Sequence, residues 1–257
     1  MYTMFVAHKS IKMKNIGIIG AGQIGSTLAR KFSALGHNVK IANSRGPHTL
    51  EELAKEIGVE AVTITEVIED VDIVIISIPQ KNIEDLPVTL FANSLEQLII
   101  VDTGNYYPGR DGRIVALDEG LVESQWVSNH LQRPVLKAFN NIGVNSLADS
   151  GKAPGDLERI ALPVSGDSGK DKAELIVLID QLGFDGVDGG TLSESWRQQP
   201  GSPVYCTDHQ EQELIRLLQI TKKSGLAEMR EKGLQMVMQA KEPMKESTSI
   251  LRSLYTD

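Results

Sequence analysis

Apolar residues in this chain fall into short runs, rich in β-branched side chains, that alternate with longer stretches of helical periodicity. The runs at 16–19, 38–42, 71–79, 98–102, 135–139 and 160–165 carry little polar interruption, as strands covered on both faces of a parallel sheet require. Between them, 26–35 places Leu28, Ala29, Phe32 and Leu35 on one helical face. Residues 49–57 do the same with Leu50, Leu53, Ala54 and Ile57, and 170–182 with Leu175, Ile176, Leu178, Ile179 and Leu182. Residues 124–131 and 210–220 read as further helices, the latter buried through Leu214, Leu217 and Leu218. Short strands are expected at 59–63 and 184–187, a helical turn at 65–69, a helix broken near Pro87 over 82–93, and an irregular loop over 106–118. About eight strands alternating with helices predict an α/β fold built on a doubly wound, mostly parallel sheet.

The first apolar run leads into Gly20-Ala21-Gly22-Gln23-Ile24-Gly25 and then a helix. Strand, G-x-G-x-x-G turn and helix in that order predict a Rossmann-like dinucleotide-binding unit. Gly20 allows the tight turn, Gly22 lets the backbone approach a pyrophosphate, and Gly25 lets helix and strand pack closely. The helix amides then face the phosphates. The end of the second strand, Asn43-Ser44-Arg45-Gly46-Pro47, chooses between the two dinucleotides. An NAD site places Asp or Glu near Asn43 to hold the ribose 2′-hydroxyl. Here that carboxylate is missing, and Ser44 and Arg45 can donate hydrogen bonds to a 2′-phosphate. The reading is NADP(H). The run at 71–79 carries Ser77, Ile78 and Pro79 to the carboxyl edge of the sheet, where such folds bind their ligands.

Composition narrows the partners. The 257 residues are 41% hydrophobic and 23% charged, with a net charge of −8, which offers no basic face to nucleic acid. No apolar run approaches the length of a membrane span. The single cysteine, Cys206, excludes an intrachain disulfide framework, and the N-terminus lacks a signal-peptide pattern, so a cytoplasmic protein is expected. Residues 1–14 read as a disordered extension and 15–220 as the dinucleotide-binding domain with its substrate-side strands. Residues 193–208 read as a structured loop around Trp196. Residues 221–257 read as a partly helical tail, interrupted by Pro243, that is either solvated or packed across the interface of a homodimer.

Candidates for protein-borne chemistry are few. His8, His37, His48, His130 and His209 show no metal-ligand spacing, so no metal site is expected. Gly166-Asp167-Ser168-Gly169 lacks the strained elbow of a serine hydrolase. His130, Lys137 and Asn140 are the candidate catalytic groups near strand ends. Lys137 reads equally as a strand-edge lysine reaching solvent, and His130 as a surface residue. Hydride transfer between two ring cofactors needs no protein acid or base, and suits this inventory.

Four segments, at 20–25, 42–47, 135–142 and 194–206, together resemble the coenzyme F420-dependent NADP oxidoreductase family, which includes deazaflavin-dependent NADP reductase. The reductase domain of the STEAP metalloreductases is a more distant relative. The resemblance runs from about Lys14 to Leu218. It implies that Gly20, Ala21, Gly22, Gln23, Ile24 and Gly25 hold the pyrophosphate, and that Asn43, Ser44 and Arg45 hold the 2′-phosphate. It also implies that Ser77, Ile78 and Pro79 run beside the nicotinamide ribose, with Ala138, Phe139 and Asn140 against the nicotinamide and a second substrate. The 196–205 loop and the tail from Lys222 depart from the deazaflavin enzymes. The expected function is hydride transfer between NADPH and a small-molecule electron acceptor with a planar ring, either deazaflavin or flavin-like. The alternatives are an NADPH-dependent imine or carbonyl reductase using Lys137 or His130, and a non-catalytic NADP(H)-binding sensor or partner protein.

Overall fold

In the computed structural model, which describes residues 13–255, the glycine motif joins strand β1 (Asn15–Ile19) to helix α1 (Gln23–Ala34). The chain continues through β2 (Asn38–Ala42), α2 (Glu51–Ile57), β3 (Glu60–Ala61), β4 (Ile73–Ile76), β5 (Ile99–Asp102), α5 (Glu123–Leu131) and β6 (Leu136–Lys137). Between β5 and α5 lie two single-turn helices, α3 (Pro108–Asp111) and α4 (Val115–Asp118). The six strands form one parallel sheet in the order β3-β2-β1-β4-β5-β6, the doubly wound order of dinucleotide-binding folds. Ile19 at the end of β1 pairs with Ala42 on one side and Ile76 on the other. The chain therefore leaves β1 in both directions at one level, and a crevice opens there.

Burial on both faces explains the unbroken apolar runs. Ile16 and Ile18 of β1, Ile73 and Ile75 of β4, and Ile99 and Val101 of β5 face one core with Leu28, Ala29 and Phe32 of α1. Ile19, Val74, Ile76 and Ile100 face a second core with Val127 and Leu131 of α5. Strand side chains alternate with a period of two, so both sets must be apolar.

Two strands stand apart from this sheet. β7 (Ala161–Val164) and β8 (Asp185–Asp188) pair in parallel as a separate ribbon, with α7 (Gly169–Gln181) as their crossover. The ribbon joins the main sheet through one antiparallel bridge, in which Lys137 and Ser165 exchange backbone hydrogen bonds of 2.8 and 3.0 Å. The expected sheet of about eight strands is thus corrected to six plus two, because β7 meets β6 in the opposite direction. Helix α6 (Val144–Asp149) follows β6, and α8 (Glu211–Ile220) covers the outer face of the ribbon through Leu214, Leu217 and Leu218.

Other expectations also change. Residues 82–93 form no helix. A 3-10 turn at Gln80–Asn82 gives way to successive i→i+3 bonds, as Pro87 supplies no N–H and the chain cannot settle into i→i+4 geometry. The expected loop at 106–118 holds α3 and α4, the first opened by Pro108. The Tyr106 hydroxyl ties this stretch together by accepting from Ile114 N at 3.0 Å and donating to Asp118 at 2.9 Å. Of the expected disordered extension, 1–12 lies outside the described residues. Lys14 belongs to the fold: it is buried, its amide donates to His37 Nδ1, and its ammonium pairs with Glu174.

The tail folds back on its own chain. Helices α9 (Leu226–Gln239) and α10 (Pro243–Ser253) pack on each other across Gly233, where a side chain would meet Leu251 and Leu254. Arg252 donates to the carbonyls of Thr207 (2.5 Å) and Asp208 (2.7 Å), and the Tyr255 hydroxyl donates to Gly201 O at 2.6 Å. These bonds fix the hairpin against the 201–208 loop. Among the described residues, no helix is long and apolar enough to cross a membrane.

The closest backbone approach lies at the glycine turn. A Cβ on Gly25 would stand 2.0 Å from Gly20 O, and Gly25 has no flexible neighbour at that point to give way. Gly25→Ala is expected to lower the unfolding free energy by roughly 1–3 kcal/mol, the usual cost of overpacking. Urea denaturation checks this, and an unchanged midpoint would contradict the assignment.

Candidate functional site

The crevice at the carboxyl ends of β1, β2 and β4 has a volume of about 550 Å³. Gly20, Ala21 and Gly22 form one wall, Asn43, Ser44 and Arg45 lie at its outer end, and Ser77, Ile78 and Pro79 run along its floor. Gly20 has φ +110°, and a side chain there would stand 2.2 Å from Ser77 O, so only glycine fits the turn. Gly22 differs. A Cβ at Gly22 would meet nothing within 4 Å, and α1 begins with no side chain capping its first amides. Nothing within the protein demands glycine at Gly22, whereas a pyrophosphate lying against those amides would.

The 43–49 loop is organised by Asn43. Its Oδ1 accepts the Arg45 amide at 2.9 Å and its Nδ2 donates to Thr49 Oγ1 at 2.9 Å. Ser44 and Arg45 are exposed, and the Arg45 guanidinium has no partner among the described residues. Gln23 is exposed beside the crevice, while Ile24 and Gly25 support it from behind. Sequence reasoning missed the opposite wall. Ile64, Thr65, Asn82, Asp85, Leu86 and Pro87 complete the crevice, and they come from turns with no periodic signal. Asn82 donates to Asp85 at 3.2 Å.

The candidates on β6 do not reach this crevice. Ala138, Phe139 and Asn140 are buried, with Phe139 in the core and at φ +59°. Asn140 is saturated: it donates to Asn105 Oδ1 (3.0 Å) and Gln198 O (2.7 Å), and accepts from Gln198 Nε2 (2.9 Å). The 3-10 helix Leu192–Gln198 roofs the strand end and takes up its polar groups. His130 bonds to Leu86 O at 2.9 Å and supports the crevice wall from outside.

Lys137, expected in part as a strand-edge lysine in solvent, is wholly buried. Its ammonium donates to Asp102 Oδ2 (3.1 Å) and Gly104 O (2.5 Å), with Glu123 Oε2 at 3.7 Å. Asp102 also accepts from Ser124 Oγ (2.6 Å) and from Gly104 N (2.8 Å). This cluster fixes the turn after β5, next to the floor of the crevice. Two carboxyl groups share one cation here. Burial pushes Glu123 up to about 7, against the pull of Lys137 and with a further push from Asp102. Glu123 Oε2 has no hydrogen-bond partner. Among the described residues, no three His, Cys, Asp or Glu side chains are grouped to hold a metal ion.

Comparison with known proteins bears on the family. The profile described as NADP oxidoreductase, coenzyme F420-dependent, fits residues 15–106, from β1 through the crevice floor to the turn after β5. The hypothetical protein SMa0349 from Sinorhizobium meliloti is 32% identical, with a TM-score of 0.65 over 78% of this chain and 96% of its own. The chain belongs to the coenzyme F420-dependent NADP oxidoreductase family. An Arthrobacter sp. FB24 protein, provisionally assigned as an F420-dependent NADP-reductase, shares the fold at 22% identity and a TM-score of 0.58, over 72% of this chain and 87% of its own. The Escherichia coli protein YjhV is 37% identical over 78 residues, which span 30% of this chain and 57% of YjhV. The protein shares the Rossmann-like fold of these structures, and it spans less than two thirds of the length of the curated relatives it matches.

The raised Glu123 carboxyl makes stability depend on pH. The folded state holds a proton that the unfolded state releases from about pH 4.5 upward, so stability is present at the acid end of this window and falls as pH rises toward about 7. Urea unfolding at pH 5.5 and at pH 8 should show this loss in the wild type and a smaller one in Glu123→Gln. Equal pH dependence in the two would remove Glu123 as its source.

Proposed function

We propose that the protein is an NADP(H)-dependent oxidoreductase that passes hydride directly to a planar ring acceptor of the deazaflavin or flavin type. The observation that carries the dinucleotide choice is the loop after β2. It holds an Arg45 guanidinium with no partner among the described residues, and the Ser44 hydroxyl, at the crevice mouth, with an amide at Asn43 in place of a carboxylate. Arginine and hydroxyl donors suit a 2′-phosphate, which a carboxylate would repel. The uncapped start of α1 and the open space above Gly22 suit the pyrophosphate.

A bound dihydronicotinamide supplies the hydride. The protein's part is to orient the rings and keep water away. The crevice lining supports a step without protein proton transfer. Its titratable members among the described residues are Arg45 and Asp85, and Asp85 accepts from Asn82. Lys137 is sealed in its ion cluster, and His130 is committed to Leu86 O. Neither side chain lines the crevice.

NADPH should bind more tightly than NADH by about 2 kcal/mol or more, the worth of charge-assisted hydrogen bonds to the phosphate. Arg45→Ala should remove most of that difference while leaving NADH affinity unchanged. Dissociation constants for both dinucleotides test it, and equal wild-type affinities would refute the reading. Anaerobic NADPH oxidation, screened against deazaflavin, flavins, quinones and ferric chelates, identifies the acceptor. Turnover with none of them would favour a non-catalytic NADP(H) sensor.

A further inference from the structure

The tail hairpin covers a second pocket, of about 170 Å³, which shares no lining residue with the dinucleotide crevice. Met229, Leu234 and Val237 of α9 and Leu251 of α10, with Leu254 beyond it, give it a mostly hydrocarbon wall. Against this wall stand three polar groups. Ser202 is 1% exposed, lines the pocket, and its hydroxyl has no hydrogen-bond partner among the described residues. Tyr107 donates to the Tyr205 hydroxyl at 2.8 Å. Among the described residues, the Tyr205 hydroxyl accepts this bond and donates none of its own. Buried hydroxyls without a good partner are rare and call for an explanation.

We propose that this pocket binds a neutral, single-ring molecule carrying one hydroxyl or carbonyl oxygen, a ligand of the phenol class. Size is the first ground. An apolar cavity of about 150 Å³ accepts benzene, so about 170 Å³ takes one ring with a small substituent and excludes a three-ring deazaflavin. Charge is the second. Arg230 at the rim is paired with Glu231 at 3.0 Å and lies over the Tyr106 ring. Burial keeps Tyr107, Tyr205 and Cys206 in their neutral forms. The one charged side chain among the described lining residues thus already has a counter-ion. The oxygen of the ligand would satisfy Ser202 Oγ and the Tyr205 hydroxyl, which otherwise stay under-bonded at a cost.

The pocket also has a way in. Gly201, Met229 and Tyr255 line both it and an outer groove of about 450 Å³. The Tyr255 hydroxyl bonds to Gly201 O across that threshold. Swinging Tyr255 aside, at the end of the described chain, opens the route without moving the sheet.

Calorimetric titration of the full chain with phenol and with toluene tests this inference. Phenol should bind one-to-one and about three- to tenfold more tightly than toluene, the net worth of one hydrogen bond. Ser202→Ala should lower the phenol affinity toward that of toluene while leaving toluene binding unchanged. Val237→Phe and Ser247→Leu, which fill the pocket from different helices, should abolish both isotherms while NADPH affinity stays unchanged. In the wild type, phenol should also shift the NMR signals of the Met229 methyl and the Tyr107 and Tyr205 rings, a readout that needs no variant. No saturable binding, equal affinities for the two probes, binding that survives filling, or shifts elsewhere would each overturn the proposal.

Discussion

The geometry of this protein depends on one backbone contact, the glycine turn after β1 lying directly on the end of β4. Side chains at Gly20 and Gly25 would meet carbonyl oxygens at 2.2 and 2.0 Å, closer than any Cβ can stand. The turn is also tied into the sheet from both sides. Gly20 N donates to Ala42 O, and Ser77 N donates to Ile19 O at 2.7 Å. Three strand ends are thereby locked at one level. The floor of the crevice is main chain held by main chain, which costs little ordering when a ligand arrives. Gly22, alone in the motif, is left free of such contacts. The turn is thus rigid where it meets the protein and open where it meets the cofactor.

Beyond that contact, the polar residues at the strand ends are turned inward. Asp102, Lys137, Ser124 and Glu123 close on one another beneath the turn after β5, while Asn140, Gln198, Ser165 and Asn105 do the same beyond β6. A buried ion pair is weak grounds for stability, since desolvation consumes much of its attraction. What the cluster does here is geometric: Lys137 holds Gly104 O and Asp102 holds Gly104 N, so the turn beside the crevice floor has one conformation. Groups spent in this way have their hydrogen-bonding capacity taken up by one another, which agrees with the proposed step in which the dinucleotide carries the chemistry.

The strands were legible because burial on both faces leaves one reading for a run such as Ile73 to Ile76, and the crevice was legible because a glycine motif specifies backbone rather than side chains. Residues 82–93 misled because Ile83, Leu86, Leu90 and Phe91 are buried at helical spacing although the backbone runs through i→i+3 turns; a pattern of burial does not fix the hydrogen bonding beneath it. The division of the sheet was hidden for a similar reason. β7 is as apolar as β4, and only the direction in which it meets Lys137 separates it from the main sheet. Ala138, Phe139 and Asn140 sit at a strand end as expected, but Ala138 and Phe139 turn into the core and Asn140 is closed off by Gln198, 58 positions away. Glu123 gave no signal, because a glutamate opening a helix normally faces water, whereas this one is 5% exposed.

Asn43 shows how a single residue type serves both fold and specificity. Its carbonyl oxygen accepts the Arg45 amide, and its amide nitrogen donates to Thr49. An aspartate could accept the first bond but could not donate the second. It would also bring a negative charge to the place where the proposed phosphate sits, at a cost that grows as the ligand displaces water. Asparagine keeps the loop in shape without that charge. Arg45 then stays exposed, with no partner among the described residues, losing no solvation until a ligand arrives. In water such an arginine contributes little to stability. On the proposed reading its value lies in discrimination, because the same guanidinium would gain charge-assisted bonds only with the ligand that carries the extra phosphate.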